Sequence, residues 1–253
     1  MIGRALRAQA RSFAGDVVLL GMVAAALLMS LAVATSIPPD LAEAPAGVRS
    51  VFAESFTVVL ATYGAVLAAV YGSFRYTIDR RDGVIAQRLM MLPRWTIFVA
   101  RMPTAALGGA IVALTVVVVG QIALNVSRGG ATLDGATLDG ATVASTLALG
   151  AVAGLWGMGL GVVVQVHLVA LFVVSMSMSG ALLLTMFWSS GAGYLPPLVM
   201  LRALGFDVSA MGIPRNDLLE SSLALWATAG WVLAALLAGG AAFMKRDVGA
   251  ETT

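Results

Sequence analysis

Apolar residues run through this chain in blocks too long for a soluble core, separated by short polar stretches. The blocks lie near Val17 to Ile37, Ser55 to Phe74, Ile97 to Leu124, Val143 to Val166, Leu168 to Trp188 and Leu223 to Met244. Each reaches the roughly 20 residues that an α-helix needs to cross a bilayer. The fourth and fifth must be separate helices. Gly140 to Leu201 contains no Asp, Glu, Lys or Arg and is about twice too long for one crossing. Gln165 and His167 mark a tight turn between them. The pattern predicts an all-α integral membrane protein, a single transmembrane domain over residues 1–253 with six spans.

The polar intervals add smaller elements. Ahead of the first block, Ile2, Leu6 and Phe13 fall near one helical face and Arg4, Arg7 and Arg11 near another. That spacing predicts an amphipathic helix over residues 1–15 lying along the membrane; the competing reading is a frayed tail whose arginines only orient insertion. A secretory signal is a further alternative, because the three arginines precede an apolar run and Ala32-Val33-Ala34 resembles a cleavage site. Its removal would leave five spans and spoil the charge pattern described below. Residues Ala131 to Thr142 repeat ATLDG twice, too few copies for a repeat fold, and read as a flexible solvated loop. Residues 191–220 include Tyr194, Pro196, Pro197, Leu198, Met200, Leu201 and Phe206, too apolar for a free loop. Short re-entrant helices dipping into the outer leaflet are expected there.

Composition agrees with the pattern: 60% of the 253 residues are hydrophobic and 11% charged, against about a quarter charged in a soluble domain. With no cysteine and one histidine, disulfides, thiolate metal sites and a histidine metal cluster are excluded. The basic residues are too few, and too closely tied to span ends, for a nucleic-acid-binding groove. Their distribution sets an orientation. Arg4, Arg7, Arg11, Arg75, Arg80, Arg81, Arg88, Arg94, Arg101, Lys245 and Arg246 fall on one side, and Arg49, Arg128, Arg202 and Arg215 on the other, eleven against four. The positive-inside bias then puts both termini and the Arg75–Arg94 bridge in the cytoplasm, in a cell inner (plasma) membrane. Arginine in place of lysine, with abundant alanine and glycine, points to a GC-rich bacterial genome.

Candidate enzymatic chemistry is thin. Asp79, Asp82, Gly83 and Ala86 spell DxxDGxxA, which resembles the first half of the CDP-alcohol phosphatidyltransferase signature, whose aspartates hold divalent metal. The second half is missing: Gln87, Thr96, Ala100 and Thr104 stand where that family would have arginine, glycine and two further aspartates. No serine sits in a GxSxG elbow, and His167 has no acidic neighbour in sequence, so it reads as a polar turn residue. No ionisable residue is expected inside the spans, which disfavours an ion-coupled transporter.

The bridge itself is more informative. After Asp82 and Gly83, residues Ile85, Leu89 and Leu92 recur at helical spacing, with Arg81 and Arg88 elsewhere on the wheel and Pro93 stopping the run. A short amphipathic cytoplasmic helix is expected within a loop over residues 75–95. The stretch RRDGVIAQRLMMLPRW directly before a long third span resembles the permease subunit of ABC-2 type exporters, which include daunorubicin-type drug-efflux permeases and polysaccharide and lipid exporters. Members commonly carry glutamate near the start of this motif, where this chain has Asp79, Arg80, Arg81 and Asp82. The layout is similar too: an amphipathic N-terminal helix, six spans, a short turn between spans four and five, and a mixed outer segment before span six.

The resemblance implies a half-transporter with two ATP-binding subunits and a second permease subunit, identical or paralogous. Arg80, Arg81, Asp82, Gly83, Ile85, Arg88, Leu89, Leu92 and Pro93 would form the ATPase-coupling element, with Gln165 and His167 as a second cytoplasmic contact. The chain has no GxxxxGK[ST] loop and its one lysine is Lys245, so ATP and magnesium would bind the partner and no cofactor this chain. The arginines also suit anionic membrane lipid headgroups. Two further patterns stand out. Gly150, Gly154, Gly157 and Gly161 draw a small-residue stripe suited to helix packing within the chain or to a dimer interface. Ser175, Met176 and Ser179 form a candidate path for a hydrophobic or amphipathic substrate such as a drug, secondary metabolite or lipid.

Overall fold

The structure, a computed structural model, describes residues 2–126, 139–185, 187–211, 213–214 and 218–245. Ten α-helices are found among them: α1 Ile2–Ala14, α2 Val17–Ala34, α3 Ala46–Arg81, α4 Val84–Leu89, α5 Arg94–Val126, α6 Gly140–Val164, α7 His167–Thr185, α8 Ser189–Ala192, α9 Pro196–Ala203 and α10 Ser221–Lys245. Six of them, α2, α3, α5, α6, α7 and α10, are long and apolar enough to cross a membrane. No strand occurs among the described residues. A bilayer offers no water to satisfy exposed backbone groups, and a helix satisfies its own.

The long helices outrun their apolar blocks. With 36 residues, α3 is about 54 Å long, well beyond a hydrocarbon core of about 30 Å. Its apolar stretch near Ser55 to Phe74 is only the middle. The expected bridge loop over residues 75–95 is therefore shorter than the pattern suggests: Arg75 to Arg81 still belong to α3, and Arg94 already belongs to α5.

Helix α6 is the hub, packed most extensively on α3 and α5 and then on α10. Its small residues permit that approach. A Cβ on Gly150 would meet Gly109 and Ala110 of α5, one on Gly154 the Ala105 carbonyl, and one on Gly157 the Ala69 carbonyl of α3. Gly161 lies against Ser73, where a Cβ would come within 2.8 Å of its Cα. All four glycines are buried within the chain. This face is occupied by α3 and α5 and is closed to a second copy, which removes the dimer-interface alternative for the stripe. Gly159, on another side of α6, meets Ala235 and Gly239 of α10 in the same way.

Polar clamps tie α2 to α5 and α5 to α3. Ser30 Oγ of α2 donates to the carbonyls of Ala26 (2.8 Å) and Val116 of α5 (3.0 Å), and Gln121 Nε2 donates to Thr57 Oγ1 at 2.7 Å. Such bonds between membrane helices contribute on the order of 0.6–2 kcal/mol each.

Most of the ATLDG repeat lies outside the described residues. Its last aspartate, Asp139, caps α6 by accepting from Thr142 N at 2.8 Å. In the mixed segment 191–220 the short helices α8 and α9 do form, followed by a 3-10 turn at Val208–Met211. Pro196 starts α9, where its missing N–H costs nothing. Residues Pro196 to Leu201 are buried, and α9 packs mainly on α10, α7 and α3.

Candidate functional site

One end of the bundle gathers α1, the bridge, the α6–α7 turn and the end of α10. Here Asp82 ends α3, and Gly83 turns the chain with φ +72, a left-handed conformation that a Cβ would strain. Helix α4 follows, and Pro93 precedes α5. The short bridge helix expected from the Ile85, Leu89 and Leu92 spacing is present. Ile85 is 0% exposed, in a cluster with Tyr76, Ile97, Phe98 and Phe243, and Leu89 and Leu92 pack partly buried against the same cluster. Ile85 is thus an anchor inside the chain and is not available to a partner. The exposed tip is formed by residues the spacing does not pick out, Met90 (86% exposed) and Met91 (76%). Arg81, Asp82, Gln87, Pro93 and Trp95 are exposed beside them, and Arg88 is half-buried.

Behind the tip lies an ion lattice. Arg101 of α5 is 4% exposed and its Nη2 pairs with Asp79 Oδ2 at 2.5 Å. Its guanidinium also stands over the Tyr76 ring, 5.8 Å from the centroid. Asp79 Oδ1 is 3.7 Å from Arg75 Nη1, one turn earlier on α3. Arg75 Nε lies 3.0 Å from Asp16 Oδ2, a charge contact without hydrogen-bond alignment, and Arg75 Nη2 donates to Ser12 Oγ at 3.0 Å. Tyr71 donates to Asp16 Oδ2, also at 3.0 Å, while Asp16 Oδ1 caps α2. The chain Asp16–Arg75–Asp79–Arg101 therefore alternates in sign and links the α1–α2 junction, α3 and α5. Alternation lets each buried charge offset the desolvation of the next.

This lattice bears on the expectation that no ionisable residue lies inside the spans. Ionisable side chains are buried between the long helices, at the end where α3 and α5 extend past the length a bilayer core requires. Asp79, one of the four residues of the DxxDGxxA pattern, faces two arginines. Of its companions, Asp82 is exposed, Gly83 forms the turn, and Ala86 sits half-buried on α4. Among the described residues no group of three or more His, Cys, Asp or Glu is placed to hold a metal ion.

The α6–α7 turn joins the bridge directly. Gln165 ends α6 in a left-handed conformation, φ 65, and its Oε1 accepts from Arg80 Nη1 at 2.5 Å. His167 Nδ1 is 2.8 Å from Thr77 Oγ1, and its ring lies 4.2 Å from that of Phe74. The two cytoplasmic contacts expected from sequence are thus adjacent, and Arg80 points inward to this turn. At the other flank, Arg94 Nη1 donates to the carbonyls of Phe243 (3.4 Å) and Met244 (3.0 Å) near the end of α10.

The serine–methionine positions of α7 are elsewhere. Met176 and Ser179 are exposed and Ser175 is half-buried, on an outward face shared with Leu168 and Phe172. No protein-family model matches this chain, and no curated protein matches it.

Proposed function

We propose that this chain is the membrane-spanning half of an ATP-driven exporter of the ABC-2 type, working with a separate ATP-binding subunit that docks on the α4 tip. The carrying observation is the construction of that tip. Met90 and Met91 project into solvent beside Arg81 and Asp82, while Ile85 fixes the same helix to the body. Exposed methionines suit an adaptable apolar contact, and the anchor supplies rigidity. The Arg80–Gln165 bond gives movement of the tip a direct route into α6 and α7.

In this reading, ATP-driven closure of two partner ATPases displaces two such chains, identical or paralogous, and a hydrophobic or amphipathic compound leaves the cell. The bridge and both termini face the cytoplasm of a bacterial plasma membrane. The outward position of Met176 and Ser179 on α7 fits a path formed between two chains. Reconstituted with its ATPase, the chain should stimulate vanadate-sensitive ATP hydrolysis. Met90→Asp with Met91→Asp should abolish that stimulation while leaving the helical circular-dichroism signal intact. Undiminished stimulation by a folded double variant would overturn the docking assignment.

A further inference from the structure

Between α6 and α7 the helix breaks where the sequence offers no breaker. From Val162 to Ser179 there is neither glycine nor proline, the residues that ordinarily stop a helix. Even so, α6 ends at Val164 and α7 begins at His167. The break rests on Gln165, whose φ of 65 is the one positive value at a non-glycine among the described residues. That conformation brings Cβ close to the following carbonyl oxygen, and glutamine lacks the short side chain with which Asn and Asp offset the cost. Val166 N then donates to the Val164 carbonyl at 2.8 Å. This closes a three-residue turn of the strained, positive-φ kind.

A strained residue persists only where its surroundings hold it, and here the holding groups come from α3. Arg80 Nη1 donates to Gln165 Oε1 at 2.5 Å. Three residues earlier, Thr77 Oγ1 lies 2.8 Å from His167 Nδ1. Three residues before that, the Phe74 ring stands 4.2 Å from the His167 ring. At this spacing Phe74, Thr77 and Arg80 share one side of α3. They grip the turn on either side of Val166, which is itself exposed. The gripping segment is the end of α3, which at Asp82 and Gly83 passes into α4.

We infer that the α6–α7 turn is a two-position switch latched by the end of α3. In the structure Arg80 and Thr77 hold Gln165 left-handed. When the end of α3 moves away and the Arg80 bond breaks, Gln165 returns to the right-handed region, α6 continues past Val164, and the break shifts toward His167. Arg80 is a positioning residue that acts through Gln165. The switch requires no particular agent to move α3, so it stands apart from the ATPase reading.

Solid-state nuclear magnetic resonance of the full chain in liposomes, isotope-labelled at glutamine, reads the switch directly. Cα and Cβ shifts separate left-handed from right-handed backbone, and the Gln165 signals are identified by their loss in Gln165→Ala. Wild type should show Gln165 in the left-handed region. Arg80→Met, which keeps the aliphatic stem and removes the donors, should move those signals to the right-handed region. The signals of Gln121, bonded to Thr57 in the body of the bundle, should stay in place. Right-handed Gln165 signals in wild type would overturn the proposal, as would left-handed signals that persist in Arg80→Met. Displacement of the Gln121 signals in that variant would do the same, because Arg80 would then hold the bundle and not the turn.

Discussion

Arg101 shows how far single residues can be read in isolation. In sequence it is one more basic residue after the bridge, counted toward the charge bias. Its burial depends on Asp79, 22 positions away on another helix, and no periodicity announces that pairing. The same holds for Arg75 and Asp16, whose separation in sequence is larger still. Asp79→Asn should therefore destabilise the protein by about 3 kcal/mol, near the lower end for breaking a buried pair because Asp79 retains some solvent contact. Combining Asp79→Leu with Arg101→Met should recover most of the loss, since both charges are then gone. Unfolding by sodium dodecyl sulfate, followed by circular dichroism, measures both variants. A stability change below about 0.5 kcal/mol for Asp79→Asn would mean that the lattice carries little.

At the scale of elements, the six long helices were legible because hydrocarbon thickness imposes a minimum apolar length. The apolar run marks the hydrocarbon and not the helix, so α3 starts at Ala46 rather than near Ser55 and continues past Phe74 to Arg81. The bridge helix was legible from Ile85, Leu89 and Leu92, but periodicity cannot say which face meets the body and which meets a partner. Packing on Phe98 and Phe243 takes Ile85 inward and leaves Met90 and Met91 outside. The glycine stripe of α6 was visible too, while its neighbours emerged only from the tertiary arrangement. Gly157→Leu would drive a side chain into the Ala69 carbonyl. It should cost at least the 1–3 kcal/mol or so typical of overpacking and reduce the yield of folded protein. Gly230→Leu, on α10 where nothing lies within 4 Å of an added Cβ, should be tolerated. Equal yields of the two variants on size-exclusion chromatography would contradict the packing described for α6.

At the scale of the whole molecule, α1, the bridge, the α6–α7 turn and the end of α10 converge on one end through the Asp16–Arg101 lattice and the Arg80–Gln165 and Arg94–Met244 bonds. That convergence agrees with an even number of crossings. Because the chain has no cysteine, each introduced thiol reports on one place. A membrane-impermeant maleimide should label Met90→Cys only in inverted vesicles and Asp139→Cys only in intact cells. The reverse pattern would invert the proposed orientation.

The Met90 thiol also gives the most direct test of the coupling assignment. Cells that natively encode the chain, expressing Met90→Cys, are treated with a short bifunctional thiol–amine crosslinker, and the adducts are identified by mass spectrometry. Leu237→Cys, on the exposed outer face of α10, serves as the control position. The account predicts an adduct between Met90→Cys and a subunit bearing a GxxxxGK[ST] phosphate-binding loop, increased by ATP with vanadate and absent at Leu237→Cys. Efficient adducts at Met90→Cys that contain no such subunit, or equal crosslinking from both positions, would contradict it.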